Sequence, residues 1–154
     1  MPNYISSEIA GILLKKSNEK HLIKAKLLNS KKEINSLNLR DLELNTADII
    51  SIANLFKVEN EANNCSIKSL SLSYNKQIGN DGAIALSEHL PKSLCELGFV
   101  DCGISDDGGN AILKLLKKLP NLEMICIEGN NFSETLKNEF YQFKQNNPRI
   151  VIVF

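Results

Sequence analysis

Residues 69–91 read SLSLSYNKQIGNDGAIALSEHLP, and the fold turns on whether this stretch is filler or one unit of a repeat. It opens with serine and leucine alternating from Ser69 to Ser73, passes through Asn75 and closes on Leu90-Pro91. A strand sends successive side chains to opposite faces, so Leu70 and Leu72 point one way and Ser69, Ser71 and Ser73 the other. Asn75 stands where the chain must turn off the strand. Ala83, Leu86 and Leu90 then fall three and four residues apart, on one face of a helix that Pro91 stops.

The same order recurs along the chain. The pattern apolar-x-x-apolar-x-apolar appears at Ile34-Leu37-Leu39, Ile67-Leu70-Leu72, Leu94-Leu97-Phe99 and Leu122-Ile125-Ile127. A truncated fifth copy starts at Ile150, so the spacings are 33, 27, 28 and 28 residues. Three positions after the last apolar residue stands Asn75, Cys102 or Asn130. An amide there can bond the backbone of the turn and of the next coil, and a cysteine fits as a small weak donor. Another apolar residue follows (Leu44, Ile78, Ile104, Phe132), then a helix-starting one (Thr46, Asn80, Ser105, Ser133) expected to cap free N–H groups. Helical spacing returns at Ile112, Leu115, Leu116 and Leu119, and at Leu136, Phe140 and Phe143. Leu119-Pro120 and Asn147-Pro148 repeat the stop.

LxxLxLxxN with a period near 28 and a full helix per unit resembles the leucine-rich repeat family, in its ribonuclease-inhibitor-like subclass. The resemblance covers residues 34–154. It implies an α/β solenoid, a curved right-handed β-α superhelix with parallel strands on the concave face and helices on the convex face. About four repeats plus a truncated terminal strand are expected. Two departures stand out: Leu42 occupies the first asparagine slot, and a surplus from Val58 to Cys65 predicts an irregular exit loop. Phe140, Tyr141 and Phe143 mark a C-terminal cap. Residues 1–33 lie outside the pattern and are expected to cap the first coil. Ser6 or Ser7 would start a helix bearing Ile9, Ile12 and Leu13, while Leu22–Leu28 is either helix or an extra edge strand.

The resemblance also implies binding of another protein on the concave sheet, and a rigid concave sheet loses little entropy on binding. The outward positions form columns. One holds Ser36, Ser69, Glu96 and Met124; the next Asn38, Ser71, Gly98 and Cys126; the third Arg40, Ser73, Val100 and Glu128. Asp41, Tyr74, Asp101 and Gly129 lie beside the third. Tyr74 is the one aromatic of this face and the anchor candidate, since tyrosines are enriched in binding hot spots. Arg40, Glu96, Val100, Asp101, Met124 and Glu128 complete the face, and Asp106 and Asp107 add an acidic rim. For each, the competing reading is a solvated surface residue. Such a face offers on the order of 300–500 Å², below the roughly 800 Å² per partner of a standard interface, so the rim loops are expected to take part.

Other functions find little support in the sequence. Net charge is zero, with 18 basic and 18 acidic residues, which disfavours nucleic acid. Ile9–Leu14 is too short to span a bilayer, so no membrane insertion is expected. Cys65, Cys95, Cys102 and Cys126 lack metal spacing with His21 or His89, and read as free thiols of a reducing compartment. Gly108-Gly109 lacks a phosphate-loop lysine. No enzyme, cofactor or metal site is therefore expected. Some bacterial repeat proteins of this kind carry a ubiquitin-ligase domain after the array; with Phe154 last, none is expected here. The short array and a composition rich in lysine and asparagine are similar to effectors that intracellular bacteria inject. The expected location is thus a cytoplasm, or a host cytosol after secretion. A monomer is expected. The alternative is a structural subunit that self-associates through the apolar Val151–Phe154 edge.

Overall fold

The computed structural model describes residues 3–154. Two helices come first, α1 (Tyr4–Leu14) and α2 (Glu19–Asn29). Strand and helix then alternate: β1 (Ser36–Asn38), α3 (Thr46–Glu61), β2 (Ser69–Ser71), α4 (Gly79–His89), β3 (Glu96–Gly98), α5 (Asp106–Leu116), β4 (Met124–Cys126), α6 (Glu134–Asn146) and β5 (Val151–Val153). The five strands form one parallel sheet in sequence order, with Leu37, Leu70, Leu97, Ile125 and Ile152 in one row. That row is buried against α3–α6, which pack side by side behind the sheet. Parallel neighbours need a crossover, and each helix supplies it.

The asparagine positions hold successive coils together. Asn75 is fully buried; its Oδ1 accepts from Leu42 N and Leu44 N, both at 3.0 Å. Its Nδ2 donates to Leu39 O at 2.9 Å and Leu72 O at 2.7 Å. Asn130 does the same for Cys102, Ile104, Phe99 and Ile127. The amide thus serves the preceding coil, where the sequence had suggested the next one.

Capping differs from expectation as well. Ser133 caps α6 by accepting from Leu136 N. Asn45, and not Thr46, caps α3, in a capping box with Asp48. Thr46 Oγ1 instead donates to Gln77 O and Ile78 O of the second unit. Asn80 reaches forward too: its Oδ1 accepts from Ser105 N at 2.8 Å and Gly108 N at 3.1 Å, so it caps α5 in the next unit. Ser105 makes no side-chain cap of its own. A side chain at Gly108 would fall 2.8 Å from Asn80 Oδ1, so this glycine serves close stacking of coils.

The chain ends also depart from expectation. Asn3 Oδ1, in place of Ser6 or Ser7, accepts from Ser6 N and caps α1, while Leu22–Leu28 takes the helical of its two expected forms. Ile5, Ile9, Leu13, Ala25 and Leu28 join the same core as the repeats. His21 is buried and its Nε2 donates to Leu42 O at 2.6 Å, at the slot that lacks an asparagine. The surplus from Val58 to Cys65 is divided: its first half extends α3, which runs 16 residues to Glu61, and the rest forms the irregular exit loop. At the other end, Ile152 pairs with Ile125, a spacing of 27, so the fifth copy lies one residue earlier than Ile150 implied. Phe140 is buried between Phe132 and Phe154, with ring centroids 5.7 Å and 6.2 Å apart, while Tyr141 is exposed.

Candidate functional site

The sheet face is built by the period of two. Side chains flanking the buried row stand free, and the pairing register lines them up across strands. Their shared floor is Gly98, where a Cβ would fall 3.0 Å from Ser73 Oγ and 3.1 Å from Ser71 Oγ. Missing bulk at that point leaves a shallow depression of about 260 Å³. Arg40, Tyr74, Glu96, Val100, Met124 and Glu128 all line it, six of the nine residues expected on this surface.

Charge divides the depression. At one end the Arg40 guanidinium lies 5.0 Å from the Tyr74 ring centroid, within cation–π range. At the other end are Glu96 and Glu128. Glu128 Oε2 is sealed from solvent and has no hydrogen-bond partner among the described residues. Cys126 lies between the two carboxylates; partial burial first, then Glu128 and Glu96, push its thiol above the ordinary range. The shift favours the neutral thiol over the nucleophilic thiolate. Burial raises Cys65, and raises Cys102 to about 12. All four cysteines are free thiols.

Tyr74 sits at φ +66°, a left-handed conformation unusual for a bulky side chain. Asp41, Asp101 and Gly129 occupy the same place in their units, at φ +50°, +51° and +73°. The turn imposes the conformation, and a tyrosine there bears a cost of about 1–2 kcal/mol that glycine avoids.

Three expected residues lie away from the depression. Asp101 pairs with Lys76 at 3.3 Å. Asp106 and Asp107 line a separate open hollow with Asn131, Phe132 and Ser133. Asp106 Oδ1 accepts from Ser133 N at 2.8 Å, and bonding to Ser133 holds its carboxyl below the usual range. Asp106 is thus tied into the seam between coils, while Asp107 is exposed. Ser73, expected to face outward, is buried; its Oγ accepts from Val100 N at 3.1 Å.

A second hollow, about 830 Å³, opens where β3, β4 and β5 begin. Lys68, Cys95, Glu96, Glu123, Met124 and Arg149 are among its lining. Lys68, Cys95 and Glu123 each directly precede a first-column residue, so one more column read from the same register would have found them. His89 sits on the helix side, partly exposed near Glu88. Among the described residues no cluster of three or more His, Cys, Asp or Glu side chains could hold a metal ion. No helix there is long and apolar enough to cross a membrane.

A family profile described as Leucine Rich repeat matches residues 63–87, which span β2 and most of α4. No curated protein matches the sequence. Alternating helices and short parallel strands in one sheet, together with that match, define an α/β leucine-rich repeat solenoid. Proteins built of such repeats are in general protein-interaction modules.

Proposed function

We propose that this chain is a non-enzymatic module that binds a partner protein through its concave sheet and the adjoining loops. What supports this most directly is the depression over Gly98, which gathers six of the expected residues with opposite charges at its two ends. A partner segment crossing the strands would set an acidic group against Arg40 and a basic group between Glu96 and Glu128. Tyr74, kept in a costly conformation beside Arg40, would be the anchor. The rim and the hollow at the strand starts supply the area that the sheet alone lacks. Residues 1–33 act as the N-terminal cap of the 34–154 array. The ribonuclease-inhibitor-like subclass is supported by the full helix in each unit, and a bacterial effector acting in a host cytosol by the array's shortness and composition.

The test is a pull-down from eukaryotic lysate, comparing the chain with an Arg40→Glu, Tyr74→Ala, Glu128→Lys variant whose circular dichroism is unchanged. A protein retained by the parent and lost by the variant is the expected result. Identical retention by both would retire the sheet face as the binding surface. Self-association through β5 is the alternative; against it, Lys144 Nζ donates to Ile152 O at 3.2 Å on that edge. Light scattering that shows concentration-dependent mass would revive it.

A further inference from the structure

Helix α2 is apolar on two opposite sides. His21, Ala25 and Leu28 are buried, while Leu22, Ile23 and Leu27 are 41%, 54% and 54% exposed. At 100° per residue, Leu22, Ile23, Lys26 and Leu27 share the solvent arc, with the exposed Glu19 at its N-terminal end as the one acidic residue. Three neighbouring aliphatic side chains left in solvent on a helix already packed on its other face mark a surface that a partner would cover.

The lysines of this segment divide into two sets. Lys16 pairs with Asp48 at 2.7 Å, and Lys20 with Glu43 at 3.1 Å and Asp41 at 3.6 Å, so both join the helical pair to the first repeat. Lys15, Lys24, Lys26, Lys31 and Lys32 have no carboxylate partner among the described residues. Lys24 is partly buried, and burial together with the nearby Lys31 charge lowers its pKa.

The zero net charge conceals a dipole. Seven lysines against three glutamates give residues 1–33 a formal charge of +4. Eleven basic against fifteen acidic residues give residues 34–154 a charge of −4.

We infer that the outward face of α2 docks on an anionic lipid surface, with Leu22, Ile23 and Leu27 entering the headgroup boundary and the unpaired lysines meeting lipid phosphates and carboxylates. Both ingredients of interfacial binding are present, an apolar stripe and a basic surround. The array's negative charge is repelled by the same surface, so the molecule lands hairpin first. A second copy fits this face poorly, because it would bring two +4 segments together. Nucleic acid would leave the three aliphatic side chains unused.

The experiment is co-sedimentation of the full chain with phosphatidylcholine vesicles, with and without phosphatidylserine. Two variants accompany it: Ile23→Ser/Leu27→Ser and Lys26→Gln/Lys31→Gln/Lys32→Gln. All five positions are exposed, so both variants should fold, with circular dichroism as the check. The chain is expected to bind only the anionic vesicles. Removing three lysines should weaken partitioning on the order of a hundredfold, and added salt should mimic it. The serine pair should abolish binding. Absence of binding to anionic vesicles overturns the inference, and so does binding that ignores the serine pair. Binding to poly-glutamate but not to vesicles would assign the face to an acidic protein instead. Dimerisation lost in the serine variant would assign it to a second copy. The sheet-face triple variant should sediment with vesicles like the parent, which keeps this test separate from the partner-binding one.

Discussion

The seams between units come in two kinds. Asn75 and Asn130 each make three hydrogen bonds to the coil before them and one to their own turn. Cys102, in the same slot between the second and third units, donates weakly to Leu72 O and Val100 O, both at 3.4 Å. The reason lies one coil earlier. From Leu72 to Ile78 the second turn spans one residue more than Leu39 to Leu44, Phe99 to Ile104 or Ile127 to Phe132. That longer turn closes mainly on backbone, through Ile78 N to Asn75 O and Gly79 N to Cys102 O, each 3.1 Å, and leaves Asn75 N facing the Cys102 sulfur. A slot's side chain therefore answers to the donors that the preceding turn leaves over. The longer turn also projects Lys76 and Gln77, both exposed, onto the rim.

The hardest break to this comparison is Asn75→Ala. Leu42 N, Leu44 N and Leu39 O would lose their side-chain partner in a dry interior, while Leu72 O would keep Cys102. We expect a loss of about 3–5 kcal/mol, read as a lower urea midpoint. A loss under about 1 kcal/mol would mean that the turn recruits water or relaxes, and that the amide is not what joins the coils.

Cys102→Asn sharpens the same point. If slots were interchangeable, the amide would stabilise the second seam as it does the others. Here Ile78 N already has a backbone acceptor, so the amide oxygen would meet one donor, Asn75 N, where Asn75 and Asn130 each meet two. The expected effect is a destabilisation of about 1–3 kcal/mol in the same urea assay. A gain in stability would show the slot to be indifferent to the turn before it.

What could be read ahead of the structure follows the range of the interactions. The strand rows and the asparagine slots were legible because they recur in register. The fifth strand was misplaced by one because Ile150-Val151-Ile152-Val153 is apolar at every position. Without alternation nothing fixes the face, and a slip of one residue exchanges inside for outside. Ser73 was misread because its burial depends on Gly98, a neighbour with no side chain, 25 residues on. The bonds of Thr46 and Asn80 cross 25 or more residues, whereas a cap motif describes only its own helix. Six of the expected sheet-face residues line one depression because period and register set their positions across strands. The charge separation between residues 1–33 and the array was missed because charge was counted over the whole chain.

The smallest effect concerns Asp106 and decides how the acidic rim should be probed. Its carboxyl lies below the usual range because the ionised form accepts bonds from Ser133. A folded value below the unfolded one means that ionisation favours the fold. The contribution is complete above the unfolded value near 3.8 and disappears as pH falls through the lower, folded value. Wild type should therefore melt slightly above Asp106→Ala at neutral pH, and the two melting temperatures should converge below about pH 4. Asp106→Asn keeps an oxygen for Ser133 N and should melt close to wild type with a flatter acid limb. A gap between wild type and the alanine variant that persists unchanged into acid would show that the carboxylate charge is not what Ser133 recognises. Because Asp106 belongs to the seam, reversing its charge would disturb both fold and rim; Asp107, exposed beside it, is the better position at which to test the proposed rim.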